Sequence, residues 1–301
     1  SGSTYTHNNG RLIFDGYTGG YGVTASYSMT TIDVPTTLNV YDLVIDVADT
    51  MALDGFDNSN VTLATGDTLV IENDLSIEDG RLEVGDFEIR GDLYLNCAGG
   101  GVCAEGGTAR LLIMGSTPQE YHHQVGASGQ HLIVNSSTTF SPAAGTTQLR
   151  VDEFVLQGGT FTAPNGEFEV GHVIATNVNH PTGFTVSGGT YLHNNGTLVL
   201  AGNSNAYTSL DQVSFSFATI DVPTSLNLYN LEIDVRDTNG IGGRDDLNIA
   251  IAAGDTLVVE NQLIMTDGRL VGGTVDLLGD LVLNCAGGGD CAEGGTTQIV
   301  V

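Results

Sequence analysis

Apolar and polar residues alternate along this chain in short runs: Thr68-Leu69-Val70-Ile71, Leu75-Ser76-Ile77, Leu82-Glu83-Val84, Phe87-Glu88-Ile89 and Leu93-Tyr94-Leu95. A period of two puts alternate side chains on one face of an extended backbone, so each run predicts a short strand with one buried face. Helical periodicity is missing. The runs are separated by Asn73-Asp74, Asp79-Gly80, Gly85-Asp86 and Gly91-Asp92, residues that tolerate tight bends. Leu69, Leu75, Leu82, Phe87 and Leu93 recur every five to seven residues. That spacing predicts a coil with about three strands per turn and ~18–20 residues per turn. The expected fold class is all-β, a parallel β-solenoid (β-helix) with short strands. Tandem β-sandwich domains are the alternative, though they need longer strands at about 8–12-residue spacing.

The pattern repeats on a larger scale. TIDVPTTLNVYDLVIDV from Thr31 recurs as TIDVPTSLNLYNLEIDV from Thr219, 188 residues on. GDTLVIENDLSIEDGRL from Gly66 and GDLYLNCAGGGVCAEGGT from Gly91 recur at the same offset, from Gly254 and Gly279. YTHNNGRLIFDG from Tyr5 recurs from Tyr191 two residues early, a slip absorbed by the Gly/Tyr/Ser-rich stretch between Gly16 and Thr31. The first repeat therefore covers 5–190 and the second, truncated, 191–301. Turns of ~18–20 residues give roughly nine or ten turns per repeat. The second copy stops inside a strand-like phrase, so a longer parent protein is expected.

The phrases SGGTYLHNNGTLVLAG, LNVYDLVID, GDTLVIENDLSIEDGRLEVGDFEIRGDLYL and GGTFTAPNGEFEV resemble a diffuse group of very large secreted or surface repeat proteins of bacteria and some archaea. The resemblance implies a parallel β-solenoid serving as adhesin, stalk or extracellular filament. It carries no catalytic residues.

Charge narrows the partners. The chain has 36 acidic residues against 8 basic ones, a formal net charge of -28. All the basic residues are arginine. A polyanion repels nucleic-acid phosphates and anionic headgroups, so neither nucleic acid nor a membrane surface is an expected partner. No apolar run reaches the ~18–20 residues of a membrane helix. Self-assembly with the same repeats is the expected association, with a glycan or cell surface as the alternative.

Cys97 and Cys103 share the phrase NCAGGGVCAEGGT, and Cys285 and Cys291 share NCAGGGDCAEGGT. A disulfide closing each glycine-rich loop would contribute roughly 2 kcal/mol and implies an oxidising compartment, extracellular or at the cell surface. The rival zinc reading needs C-x-x-C spacing and nearby histidine, and neither is present.

The remaining motifs carry little chemistry. Asn8, Asn9, Asn194 and Asn195 lie in matched H-N-N-G phrases and suit an asparagine ladder along a turn corner. Asp54, Asp57, Asp245 and Asp246 are the candidate calcium ligands, without EF-hand or β-roll spacing, so calcium is the only cofactor considered. His122 and His123 are adjacent, which on a strand sends them to opposite faces. Arg90-Gly91-Asp92 spells an integrin-binding tripeptide, but its counterpart is Leu278-Gly279-Asp280, so the glycine and aspartate read as a corner. Asn60, Asn135 and Asn195 begin N-glycosylation sequons. No nucleophile elbow or phosphate loop occurs. The chain is expected not to be an enzyme, and a polysaccharide-degrading β-helix is the remaining catalytic alternative.

Overall fold

The computed structural model describes residues 5–18, 27–49, 59–96, 109–171, 174–175, 182–204, 215–237, 247–284 and 295–301. They are strands and turns, with no helix among them. None of the described residues therefore forms a helix long and apolar enough to cross a membrane. They form two compact bodies, Ser1–Thr146 with Gly158–Phe161, and Thr147–Gln157 with Thr162–Val301. The division falls inside the first sequence repeat.

The first body is a parallel β-solenoid with three strands per turn. Tyr27–Ile32, Ser59–Leu63 and Arg81–Val84 make its first face. Thr37–Val40, Thr68–Ile71, Asp86–Ile89, Arg110–Ile113 and the start of Gly129–Pro142 make the second. Arg11–Thr18, Asp42–Asp49, Leu75–Asp79, Leu93–Leu95 and Gln119–His123 make the third. These pairings are parallel, which excludes the sandwich alternative, whose neighbours run antiparallel. The second body repeats the scheme. Thr197–Ser204, Ser225–Asp237, Thr256–Asp267 and Asp280–Leu283 pair in parallel down its third face.

Stacking aligns the inward residues into ladders. Leu38, Leu69, Phe87, Leu111 and Leu132 are register neighbours on the second face, as are Val40, Ile71, Ile89, Ile113 and Val134. All but Leu38 are fully buried. Each such side chain contributes roughly 1.5–3 kcal/mol of burial. Aromatics thicken the core: Tyr121, Phe140 and Phe161 cluster in the first body, and Phe154, Phe168 and Phe184 in the second.

Turn length departs from the 18–20 expected. Thr68 pairs with Asp86, 18 residues on, but Thr37 pairs with Thr68 after 31 and Asp86 with Arg110 after 24. The second copy keeps the sequence of lengths, with Ser225 to Thr256 31, Thr256 to Thr274 18 and Thr274 to Gln298 24. The expectation came from the tightest turn, which holds Leu69, Leu75 and Leu82, and the start of the next, which holds Phe87 and Leu93; all five are buried. Elsewhere extra residues follow the third-face strands, so a repeat holds fewer than nine turns. A solenoid accepts such insertions because only the strands must stay in register.

One polar side chain is part of this interior. Gln119 is 1% exposed. Its Oε1 accepts the Gly115 N–H at 2.8 Å, and its Nε2 donates to the carbonyls of Ile89, at 3.3 Å, and Gly91. The amide thus satisfies backbone groups of two turns at a corner where strand pairing stops.

Candidate functional site

Side chains that join one turn to the next come in two kinds, those both copies share and those only one has. The shared set centres on His7. In the H-N-N-G phrase Asn8 and Asn9 have φ of 49° and 56°, and Asn194 and Asn195 have 50° and 57°. Gly10 N–H donates to the His7 carbonyl at 2.8 Å, and Gly196 N–H to that of His193 at 2.9 Å. Two left-handed central residues closed by such a bond make a type I′ turn, which asparagine tolerates. The Asn194 side chain also donates to the Ala163 carbonyl of the neighbouring turn at 3.2 Å. A side-chain amide ladder lies at a different corner, where Asn261 donates to Asn230 at 2.8 Å and Asn230 to Thr197 at 3.2 Å.

The turn aims the histidine. His7 Nδ1 accepts the Asn9 N–H at 3.0 Å, so the proton of a neutral ring sits on Nε2. That nitrogen faces Glu72 Oε2 at 3.2 Å. The ring stacks on Tyr41 at 5.9 Å, and Asn39 donates to the other Glu72 oxygen at 2.9 Å. His193, Tyr229, Glu260 and Asn227 reproduce every contact, with 3.1 Å to Asn195, 3.6 Å to Glu260, 5.9 Å between rings and 3.2 Å from Asn227. A constellation made twice serves the stack of turns.

The unshared set lies on the third face of the first body. Val44, Ser76, Tyr94 and His122 are register neighbours, pointing outward because Leu43, Leu75, Leu93 and Tyr121 beside them are fully buried. The Tyr94 and His122 rings stack at 4.1 Å with planes 8° apart. Acids line the adjoining corner. Asp42 Oδ1 accepts the Asn73 amide at 2.8 Å and the Asp74 N–H at 3.4 Å, Asp74 Oδ1 accepts the Asp92 N–H at 3.0 Å, and Asp92 Oδ1 accepts the Glu120 N–H at 2.7 Å.

Electrostatics register the crowding. Burial holds the Asp74 carboxyl above its ordinary range. The N–H of Asp92 offsets part of that, and the charges of Asp92 and Asp42 add to it. Burial likewise raises the Tyr94 hydroxyl, with Asp74, Asp92 and Glu120 contributing. Most of this column changes in the second copy, where Asn230, Gln262, Ile264 and Val282 stand for Asp42, Asp74, Ser76 and Tyr94, while Asp92 is kept as Asp280.

The other candidates separate cleanly. Cys97, Cys103, Cys285 and Cys291 lie outside the described residues, as do Asp54, Asp57, Asp245 and Asp246. Among the described residues no three histidine, cysteine or acidic side chains gather as metal ligands. His122 and His123 turn to different partners, His123 Nε2 lying 2.9 Å from the Ala127 carbonyl. Arg90-Gly91-Asp92 forms a corner between Asp86–Ile89 and Leu93–Leu95. Sequence reading missed the Tyr94–His122 stack. Its partners are 28 residues apart, and only the pairing of turns brings them together. No known protein family, curated protein or solved structure matches this chain.

Proposed function

We propose that this chain is a structural segment of an extracellular filament or cell-surface fibre built from tandem β-solenoid repeats. The observation that carries the reading is the twofold occurrence of the His7–Tyr41–Glu72–Asn39 constellation as His193–Tyr229–Glu260–Asn227. These kept residues join successive turns, as a structural scaffold requires. The resemblance to giant secreted repeat proteins points the same way. Disulfides Cys97–Cys103 and Cys285–Cys291 would pin glycine-rich loops in an oxidising compartment. A net charge of -28 would keep long arrays soluble.

A second reading, an adhesin that binds a glycan or another cell, is favoured by one feature. Thr18 and Asp49 are register neighbours at the ends of third-face strands. Both strands therefore end at one edge of the solenoid, where variable chain can be displayed without disturbing the core. Negative-stain microscopy of native material distinguishes the two. Long uniform fibres support the filament; isolated particles anchored at a cell envelope support the adhesin and overturn the filament.

A further inference from the structure

The third face of the first body carries chemistry that the fold does not require. The second copy pairs its strands in the same way, Leu231 with Leu263 with Leu281, as Leu43 pairs with Leu75 and Leu93. Yet it holds an amide, not an acid, opposite Asp42 and Asp74, and a valine opposite Tyr94. Turns stack with either set. Asp42, Asp74 and Tyr94 of the first copy are therefore free of the repeat, whereas Asp92 recurs as Asp280.

Their arrangement is specific. Tyr94 is covered on one side by His122. Its register neighbour on the other side is Ser76, too short to cover a ring. Beside that open ring face, Asp74 and Asp92 each use Oδ1 for a backbone N–H. Their Oδ2 atoms make no hydrogen bond among the described residues. Among the described residues, Asp42 is the only acid of this column within ion-pair distance of an arginine, Arg11 at 3.8 Å. Burial first, and then the charges of Asp74, Asp92 and Glu120, raise the Tyr94 hydroxyl, so these carboxylates set a negative field around a half-buried aromatic ring.

We propose that this face seats a guanidinium group of a basic peptide segment from a partner protein, stacked on Tyr94 above Ser76 and paired with Asp74 and Asp92. A guanidinium is flat, stacks on aromatic faces and presents forked N–H donors to carboxylates. Adjacent turns place the two acids roughly 4.8 Å apart, a spacing a single fork can bridge. The chain itself offers few cations, 8 arginines against 36 acids, so the basic group comes from another protein. The long-range field of the chain steers it in. This binding role stands apart from the filament reading.

The test is a fluorescence-anisotropy titration of the 301-residue chain with a labelled nine-residue peptide of alternating arginine and glycine. Tyr94→Val and Asp74→Gln install the residues that the second copy already carries, so the solenoid is kept, which unchanged far-UV circular dichroism verifies. Each variant is expected to weaken binding about tenfold. Asp276→Asn, on the second face of the second body, is expected to leave it unchanged, and the lysine version of the peptide to bind more weakly. Equal affinity for wild type and Tyr94→Val would overturn the proposal. So would equal losses in all three variants, which would mean attraction to net charge alone, or no binding by the wild type.

Discussion

The carbonyl oxygen of Asn73 lies 2.1 Å from the point where a β-carbon on Gly91 would stand, and the carbonyl of Asn261 lies 1.8 Å from the same point on Gly279. One turn's backbone rests on the glycine of the next. Gly91→Ala is therefore expected to destabilise the first body by about 1–3 kcal/mol, the cost of overpacking against backbone. Urea denaturation with the second body's transition as internal reference measures it. Arg90→Leu, which copies Leu278, is expected to leave stability within about 0.5 kcal/mol. The tripeptide is then a corner whose arginine is dispensable to the fold.

Thr36 and Thr224 have φ of 67° and 62°, a left-handed backbone that β-branched side chains disfavour. The strain is tolerated because the Thr36 carbonyl accepts the Thr68 N–H at 2.8 Å and that of Thr224 accepts the Thr256 N–H at 2.9 Å. Asparagine adopts this backbone more readily. Thr36→Asn is expected to stabilise by about 0.5–1 kcal/mol, read as a higher denaturation midpoint.

Glu72 and Glu260 each link a histidine to an asparagine across three turns. These carboxylates are partly exposed, so the interaction is modest. Double-mutant cycles for His7 with Glu72 and for His193 with Glu260 should each give a coupling of about 0.2–1 kcal/mol. The two values should agree in sign. Coupling in one copy only would mean that the contact is not part of the repeat.

The acid column has a pH signature. Burial and the charges of Asp92 and Asp42 raise Asp74 above its ordinary value of 3.8. The folded state then binds more protons than the unfolded one across that window. Stability falls as pH rises through it, and the loss is complete above the folded value. Asp74→Gln is expected to raise the thermal midpoint at pH 7. The gain should disappear below pH 3.8, where both forms are neutral at this position. A gain that persists in acid would assign the effect to packing.

The cysteine loops call for a chemical test. Intact-mass measurement before and after reduction, with peptide mapping, is expected to show Cys97 joined to Cys103 and Cys285 to Cys291. Free thiols in native material would remove the argument for an oxidising compartment.

Local pattern made some of this architecture legible. Leu69, Leu75 and Leu82 lie in the tightest turn, and Phe87 and Leu93 open the next one in register with Leu69 and Leu75; there the strands follow each other with minimal linkers and the inward period shows in the sequence. The longer turns hid their length. Nothing between Val40 and Thr68 announces that these strands belong to successive turns, since pairing is decided by distant neighbours. The H-N-N-G phrases were visible as repeats, but their left-handed backbone was not, because asparagine also suits other corners. Gln119 gave no signal at all, as an inward amide reads like a surface residue until the carbonyls it meets are known. Repeat-to-repeat comparison finds structural residues easily. The Tyr94–His122 face needed the registers first and the comparison second.

Parallel strands stacked turn upon turn would be the working structure of the native assembly. X-ray diffraction from oriented native material tests it most directly. Strands lying across the long axis predict a meridional reflection at about 4.8 Å. A 4.8 Å reflection confined to the equator, or none at that spacing, would mean that the strands do not stack along the fibre.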